Sequence, residues 1–189
     1  MLVSMPKRFY ELQRLHVYDK GGRNSISGVE ACVFGGTSAL GNMVGSGLTR
    51  IGSPCIYPYR SSASIWDNRI KELKATADLG YKSFVRLQDF TNEKDVAFAL
   101  KSSNVVVSCI GSHVFYKKEQ DFEDANIKVP MAIAKACKNS DKVKRFIYVS
   151  AAGADPNSHS KRLRTKWIGE QEVKAIYPDV TVVRPTYMV

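Results

Sequence analysis

The chain has no apolar run near the roughly 18 residues that a membrane-spanning helix needs. Its strongest run, Val105 to Ile110, reads as one buried strand. It has no secretory leader pattern, no internal repeat and no low-complexity segment. Its four cysteines, Cys32, Cys55, Cys109 and Cys137, form no Cys-x-x-Cys pair. All four sit among apolar neighbours, three in expected strands and one in an expected helix. They read as buried free thiols of a reducing compartment, which leaves out zinc ligation and disulfides. The three histidines, His16, His113 and His159, are scattered and suggest no metal site. The net charge is +10, but the basic residues are spread along the chain. The densest cluster, Lys161, Arg162, Arg164 and Lys166, has no interleaved aromatics for base stacking, so nucleic acid is not the expected partner. No acid precedes Glu11, while Lys7, Arg8 and Arg14 do stand near the start. That composition suits either a mitochondrial targeting segment or an ordinary basic tail.

What is present is ordinary for a globular protein: 189 residues, 44% hydrophobic and 24% charged, enough for one domain with a real core. Residues 1–27 read as an N-terminal extension ending in the turn-rich linker Gly21-Gly22-Arg23-Asn24-Ser25, and residues 28–189 as one folded unit. The pattern predicts strands near Val29–Phe34, Cys55–Tyr59, Ser83–Leu87, Val105–Ile110, Arg145–Val149 and Val180–Val183. Helices are predicted near Leu40–Ile51, from Thr91 on, over Asp121–Cys137 with a kink at Pro130, and over Ser160–Ile176. Ser61 to Asp78 is part loop and part helix. Alternation at this spacing predicts a doubly wound α/β fold of the Rossmann type, a parallel sheet with helices on both faces.

The richest segment is Val29 to Gly41, where a β-branched and aromatic run leads into Gly35-Gly36-Thr37-Ser38-Ala39-Leu40-Gly41. An apolar helical pattern of Leu40, Met43, Val44, Leu48 and Ile51 follows. Such a strand–turn–helix unit aims backbone N–H groups and the positive end of a helix dipole at a pyrophosphate. Gly35 allows the tight turn and Gly41 close packing on the sheet. Ser38 stands where a Gly-x-x-Gly-x-x-Gly pattern would place glycine; its hydroxyl either hydrogen-bonds a phosphate or crowds it. The alternative for the whole segment is a plain strand–helix turn that binds nothing.

Other candidates lie at the expected strand ends. The second strand ends Tyr57-Pro58-Tyr59-Arg60 with no acid before Asp67. An acid there would select NAD through the ribose hydroxyl, whereas Arg60 can fork onto the 2′-phosphate of NADP or stand as a solvated surface arginine. Asp89 can accept from the adenine amino group or simply cap a helix entry. Gly111 admits backbone close to a cofactor or is a turn glycine. Ser150, ending the fifth strand, stands where a catalytic serine would be, or caps a loop.

These residues resemble the short-chain dehydrogenase/reductase superfamily in its atypical extended branch, and within it the family of nucleotide-binding accessory subunits of mitochondrial respiratory complex I. The likeness is carried by Gly21 to Gly28, Pro58-Tyr59-Arg60, Asn104 to Val107, Ile110-Gly111, Asp121 to Asp124, Lys128-Val129-Pro130, Ala132-Ile133-Ala134, Leu163 to Lys166 and Gly169-Glu170. It implies structurally held NADPH on the matrix side of the mitochondrial inner membrane, in an assembly with the other subunits of complex I. By this resemblance Gly35, Ser38, Ala39, Leu40 and Gly41 face the pyrophosphate, Arg60 the 2′-phosphate, Asp89 the adenine and Lys166 the nicotinamide ribose. The superfamily's C-terminal substrate lobe is expected to be largely missing.

Reductases of this superfamily use Tyr-x-x-x-Lys as proton donor and partner. None of the nine tyrosines has lysine four residues on, and Arg162 stands four before Lys166. The expectation is therefore a non-catalytic, NADPH-binding accessory subunit that supports the matrix arm. The alternative is a free NADPH-dependent reductase or redox-sensing module. In the first case the extension would anchor through Phe9, Tyr10, Leu12 and Leu15, with Lys7, Arg8 and Arg14 toward acidic partner surface or lipid headgroups.

Overall fold

The computed structural model describes residues 27–60, 80–87, 89–111 and 122–186, without the side chain of Arg60. The extension over 1–26, the ambiguous 61–79 segment and the last three residues lie outside the described residues. The elements are β1 (Ala31–Phe34), α1 (Ala39–Arg50), β2 (Cys55–Arg60), β3 (Lys82–Leu87), α2 (Glu93–Leu100), β4 (Val105–Ser108), a π-helical stretch (Asp124–Lys128), α3 (Val129–Lys138), β5 (Arg145–Val149), α4 (Lys161–Ile176) and β6 (Thr181–Val183). All strand pairs are parallel, and the six strands lie in the order β3-β2-β1-β4-β5-β6. The order reverses between β1 and β4, the point at which open α/β sheets bind ligands.

The period of two in each strand sorts side chains to opposite faces. Cys32, Phe34, Ile56, Val85 and Leu87 join the larger core with Val96, Leu100, Ile133 and Val173 of α2, α3 and α4. Ala31, Val33, Cys55 and Tyr57 form a smaller core on the other face, with Leu48 of α1 packed against it. The sheet is thus covered on both faces, as the alternation of elements predicts.

Three local readings need correction. First, α1 does not bury the stripe Leu40, Met43, Val44, Leu48 and Ile51; it buries Gly41, Gly45 and Thr49, and leaves Met43 and Ile51 exposed. The Tyr57 ring occupies the space a larger inward side chain would need, since a Cβ on Gly45 would overlap it. Second, the interruption before Pro130 is a π-helical stretch, with Val129 N–H bonding Asp124 O and Pro130 in the first turn of α3. Proline has no N–H to return to the Asn126 carbonyl. That carbonyl accepts instead from Tyr148 Oη at 3.4 Å. Third, Asn92 rather than Thr91 opens α2, its side chain accepting from Lys94 N at 3.0 Å, while Glu93 and Asp95 complement the helix dipole. β4 ends at Ser108, so Cys109 and Ile110 leave the sheet and enter the loop above it.

Helix α4 buries a mostly polar face: Thr165, Lys166, Gly169, Glu170 and Val173. Glu170 is fully buried and held by cations, with Lys174 Nζ at 2.7 Å and a two-point grip from Arg184, Nε to Oε2 at 2.9 Å and Nη2 to Oε1 at 2.7 Å. This ties the residue after β6 back onto α4. Burial alone would raise the carboxyl, but bonds from Arg184 and Lys174 outweigh it and hold Glu170 at about 2, against an ordinary 4.5. Between those values the unfolded chain takes up a proton that the folded chain refuses. Stability is therefore expected to be fully present above pH 4.5 and to fall as pH drops toward 2. Urea unfolding across that range should show this slope, and Glu170→Gln should flatten it.

Candidate functional site

A cleft of about 360 Å³ opens at the carboxyl ends of β1, β2, β3 and β4, lined by Gly35, Ser38, Tyr59, Asp89, Cys109, Gly111 and Asp124 among others. The cleft exists because strands part there. β1 pairs with β2 only at Ala31 and Cys32. Continuing that register would bring Pro58 opposite Phe34, and proline has no N–H for the ladder. On the other side β1 stays paired with β4 through Phe34, and Cys109 N–H extends the contact to Phe34 O at 2.9 Å.

The turn above β1 is held by backbone. Gly35 has φ +77°, in the left-handed region, and a Cβ there would stand 3.0 Å from the Cys109 carbonyl. Both facts call for glycine. Ser38 takes a role outside its two expected alternatives. It is the N-cap of α1, its hydroxyl donating to Gly35 O at 2.7 Å and accepting from Gly41 N at 3.1 Å. The capping serine closes the turn on itself. It leaves the N–H groups of Ala39 and Leu40, the first two of the helix, without an intrahelical acceptor, next to Ser38, which lines the cleft. Gly41 packs directly beneath, its α-carbon against the Gly35 carbonyl.

On the far side Lys166 is buried, and its ammonium donates to Ile110 O at 2.8 Å and Val149 O at 3.0 Å. It thereby bridges the ends of β4 and β5 directly behind Gly111, where a Cβ would meet Nζ at 3.0 Å. Burial, and then the nearby Arg162 charge, lower Lys166 to about 8; Cys109 opposes this. Burial pushes the Cys109 thiol up to about 11, although Lys166 pulls it down.

Asp89 lines the cleft, but its carboxylate binds its own turn, accepting from Thr91 N at 2.8 Å and Thr91 Oγ1 at 2.7 Å. Ser150 does not join the cleft residues. It is buried, its N–H bonds Val183 O at 2.8 Å, and its hydroxyl faces Glu170 on the β6 side. Of the expected residues, Gly35, Ser38, Asp89 and Gly111 line the cleft, Ala39, Leu40 and Gly41 follow Ser38 into α1, and Lys166 is buried behind Gly111. Arg60 ends β2, with its side chain outside the described residues.

Two buried residues that linear reading missed surround Lys166 from behind the cleft. Asn126, fully buried on the π-helical stretch, donates to Thr165 Oγ1 at 2.9 Å, next to Lys166. Tyr148 lies beneath Lys166, with Nζ 5.3 Å from its ring centroid. A tyrosine does meet this lysine, then, but from β5 rather than from four residues earlier. No spacing rule finds it. The one usable signal was Pro130, which marks a perturbed helix four residues after Asn126.

The NAD(P)H-binding protein family matches residues 70–188 of this chain. The mouse mitochondrial NADH dehydrogenase (ubiquinone) 1 alpha subcomplex subunit 9 is 41% identical over 169 residues, covering 89% of this chain and 43% of that protein. The mitochondrial NADH-ubiquinone oxidoreductase 40 kDa subunit of Neurospora crassa is 37% identical over 172 residues, covering 91% of this chain and 44% of that protein. The chain thus spans less than half the length of these relatives. Among solved structures, the UDP-glucuronic acid 4-epimerase of Bacillus cereus in complex with NAD aligns with a TM-score of 0.66 at 18% identity, over 83% of this chain and 56% of that one. Vestitone reductase from alfalfa aligns with a TM-score of 0.64 at 19% identity, over 82% and 56%. These two likenesses concern the fold.

The capping geometry carries a quantitative expectation. Ser38→Ala should cost about 1 kcal/mol of stability in urea unfolding, and Ser38→Gly only a few tenths. Equal losses would show that the hydroxyl does not cap α1.

Proposed function

The chain belongs to the NAD(P)H-binding family, and from that premise we propose that it holds NADPH without turning it over, as an accessory part of mitochondrial NADH:ubiquinone oxidoreductase. The observation that carries the nucleotide reading is the Gly35–Gly41 turn. It stands at the sheet's switch point, with Gly35 and Ser38 lining the cleft and the first N–H groups of α1 following directly after them. Glycine at position 35 lets the turn close on the Cys109 backbone and glycine at 111 makes room for Lys166; both line the cleft of about 360 Å³, so the residues present fit a dinucleotide.

In this reading the turn binds the diphosphate, Arg60 pairs with the 2′-phosphate, and Lys166 donates to the ribose beside the nicotinamide. A bound nicotinamide supplies hydride chemistry. The chain's own groups are poorly placed to complete such a reaction. The residue one turn before Lys166 is Arg162, and a guanidinium makes a poor general acid. The Tyr148 hydroxyl is buried and bonds Asn126 O, and burial holds it well above the ordinary phenol range.

The respiratory assembly is proposed from the mouse and fungal relatives, whose names place them in that oxidoreductase. It brings with it the mitochondrial inner membrane, matrix side, and the other complex I subunits as partners. The extension's Phe9, Tyr10, Leu12 and Leu15, with Lys7, Arg8 and Arg14, would lie against neighbouring subunits or lipid headgroups.

Three outcomes test the reading. Nucleotide released from the purified protein should be NADP(H). Arg60→Ala should weaken NADPH ten- to hundredfold, as loss of a charge-assisted bond of about 1.5–3 kcal/mol implies. Recovery of NAD(H), with Arg60→Ala neutral, would reverse the choice of nucleotide. In native gels of mitochondrial membranes the protein should migrate with complex I rather than near its own 21.0 kDa. Migration only as a free module would remove the accessory role.

A further inference from the structure

The geometry points to Tyr57 as the positioning residue of the nucleotide turn, setting its height above the sheet without touching the nucleotide. This rests on the nucleotide reading above and adds a residue that it does not name.

Tyr57 is fully buried on β2 and faces α1. Its ring edge fills the space beside Gly36 in the turn, and its hydroxyl end fills the space beside Gly45 in the second turn of α1. A methyl group at either glycine would overlap the ring. Phe84 of β3 backs it, with ring centroids 5.5 Å apart at 37°. Lys82 Nζ lies 5.7 Å from the ring centroid and also donates to Asn42 Oδ1 at 3.2 Å and Ser46 Oγ at 3.1 Å on α1. Strands β2 and β3 therefore grip α1 through one ring and one ammonium.

The helix has little of its own with which to resist movement. Gly41, Gly45 and Gly47 fall within its 12 residues, and its buried face is Gly41, Gly45 and Thr49. Glycine is among the weakest helix formers and brings no side chain to the contact. The other fully buried members of the smaller core are Ala31, Val33 and Cys55, all much smaller than Tyr57, with Val29, Leu48 and Phe84 half-buried against them. The ring is the spacer that fixes how closely α1 approaches the sheet, and with it where the Ala39 and Leu40 N–H groups point. Tyr57 does not line the cleft, whereas Pro58 and Tyr59 do. Any effect on the nucleotide must pass through the backbone. The hydroxyl has no hydrogen-bond partner among the described residues, so the contribution is one of shape.

NADPH fluorescence titration of the full chain tests this, at a temperature where circular dichroism shows each variant folded. Tyr57→Phe should keep the Kd within twofold. Tyr57→Leu should weaken it tenfold or more. Ile133→Ala, in the core on the opposite face, should lower Tm comparably and leave Kd within twofold. Should Tyr57→Leu not fold, Tyr57→Met carries the same expectation of tenfold loss. Binding by the Leu or Met variant within twofold of the parent overturns the proposal, as does an equal loss in Ile133→Ala. A parent chain that binds no NADPH removes the nucleotide reading itself, and this inference with it.

Discussion

Backbone meeting backbone at the head of β1 is the constraint on which the cleft depends. The Gly35 turn rests on the Cys109 carbonyl, and α1 lies close enough for the Gly41 α-carbon to touch the Gly35 carbonyl. No side chain intervenes at either contact. The turn can therefore be tight, the helix can start beside the strand end, and its first N–H groups can face the switch point of the sheet. Ser38 fits this scheme because a capping hydroxyl, unlike a larger side chain, folds back into the turn it closes. Tyr57 limits the same contact from below.

The opposite wall depends on charge rather than closeness. Helix α4 carries two buried ionisable groups one turn apart, and each is satisfied on a different side. Lys166 turns to the ends of β4 and β5, where the Ile110 and Val149 carbonyls accept hydrogen bonds from its ammonium. Glu170 turns to the β6 side, where Arg184 and Lys174 receive its charge. Burying either group without partners would cost several kcal/mol. The pairings thus specify how α4 sits against the ends of β4, β5 and β6. Gly169 between them allows α4 to approach the Asn126 carbonyl that Pro130 leaves open.

Most of the architecture was legible, because strands buried on both faces read as short β-branched runs and the helices between them have separate polar boundaries. Arg145–Val149 matched to the residue, and the other strands to within two or so. The glycine turn was legible because its chemistry is local. Three features were not. The buried face of α1 was misread, since the usual apolar period assumes the helix supplies the filling, whereas here Tyr57 of another element supplies it. The π-helical stretch depends on one proline acting on a carbonyl four residues back, and the sequence pattern distinguishes this poorly from a kink. The meetings of Tyr148 with Lys166 and of Arg184 with Glu170 are set by strand order and helix placement, which no spacing along the chain encodes. Ser150 shows the same limit in reverse: its place at a strand end was readable, but the direction of its hydroxyl toward Glu170 was not.

The central claim is that the turn above β1 and the loop after β4 together hold a dinucleotide. Amide hydrogen exchange, followed residue by residue with and without NADPH, tests it most directly. Binding should slow exchange at Ala39, Leu40 and Gly111 while leaving the edge strand β6 unchanged. Protection confined to other parts of the chain, or no change at Ala39 and Leu40 at saturating NADPH, would contradict the account.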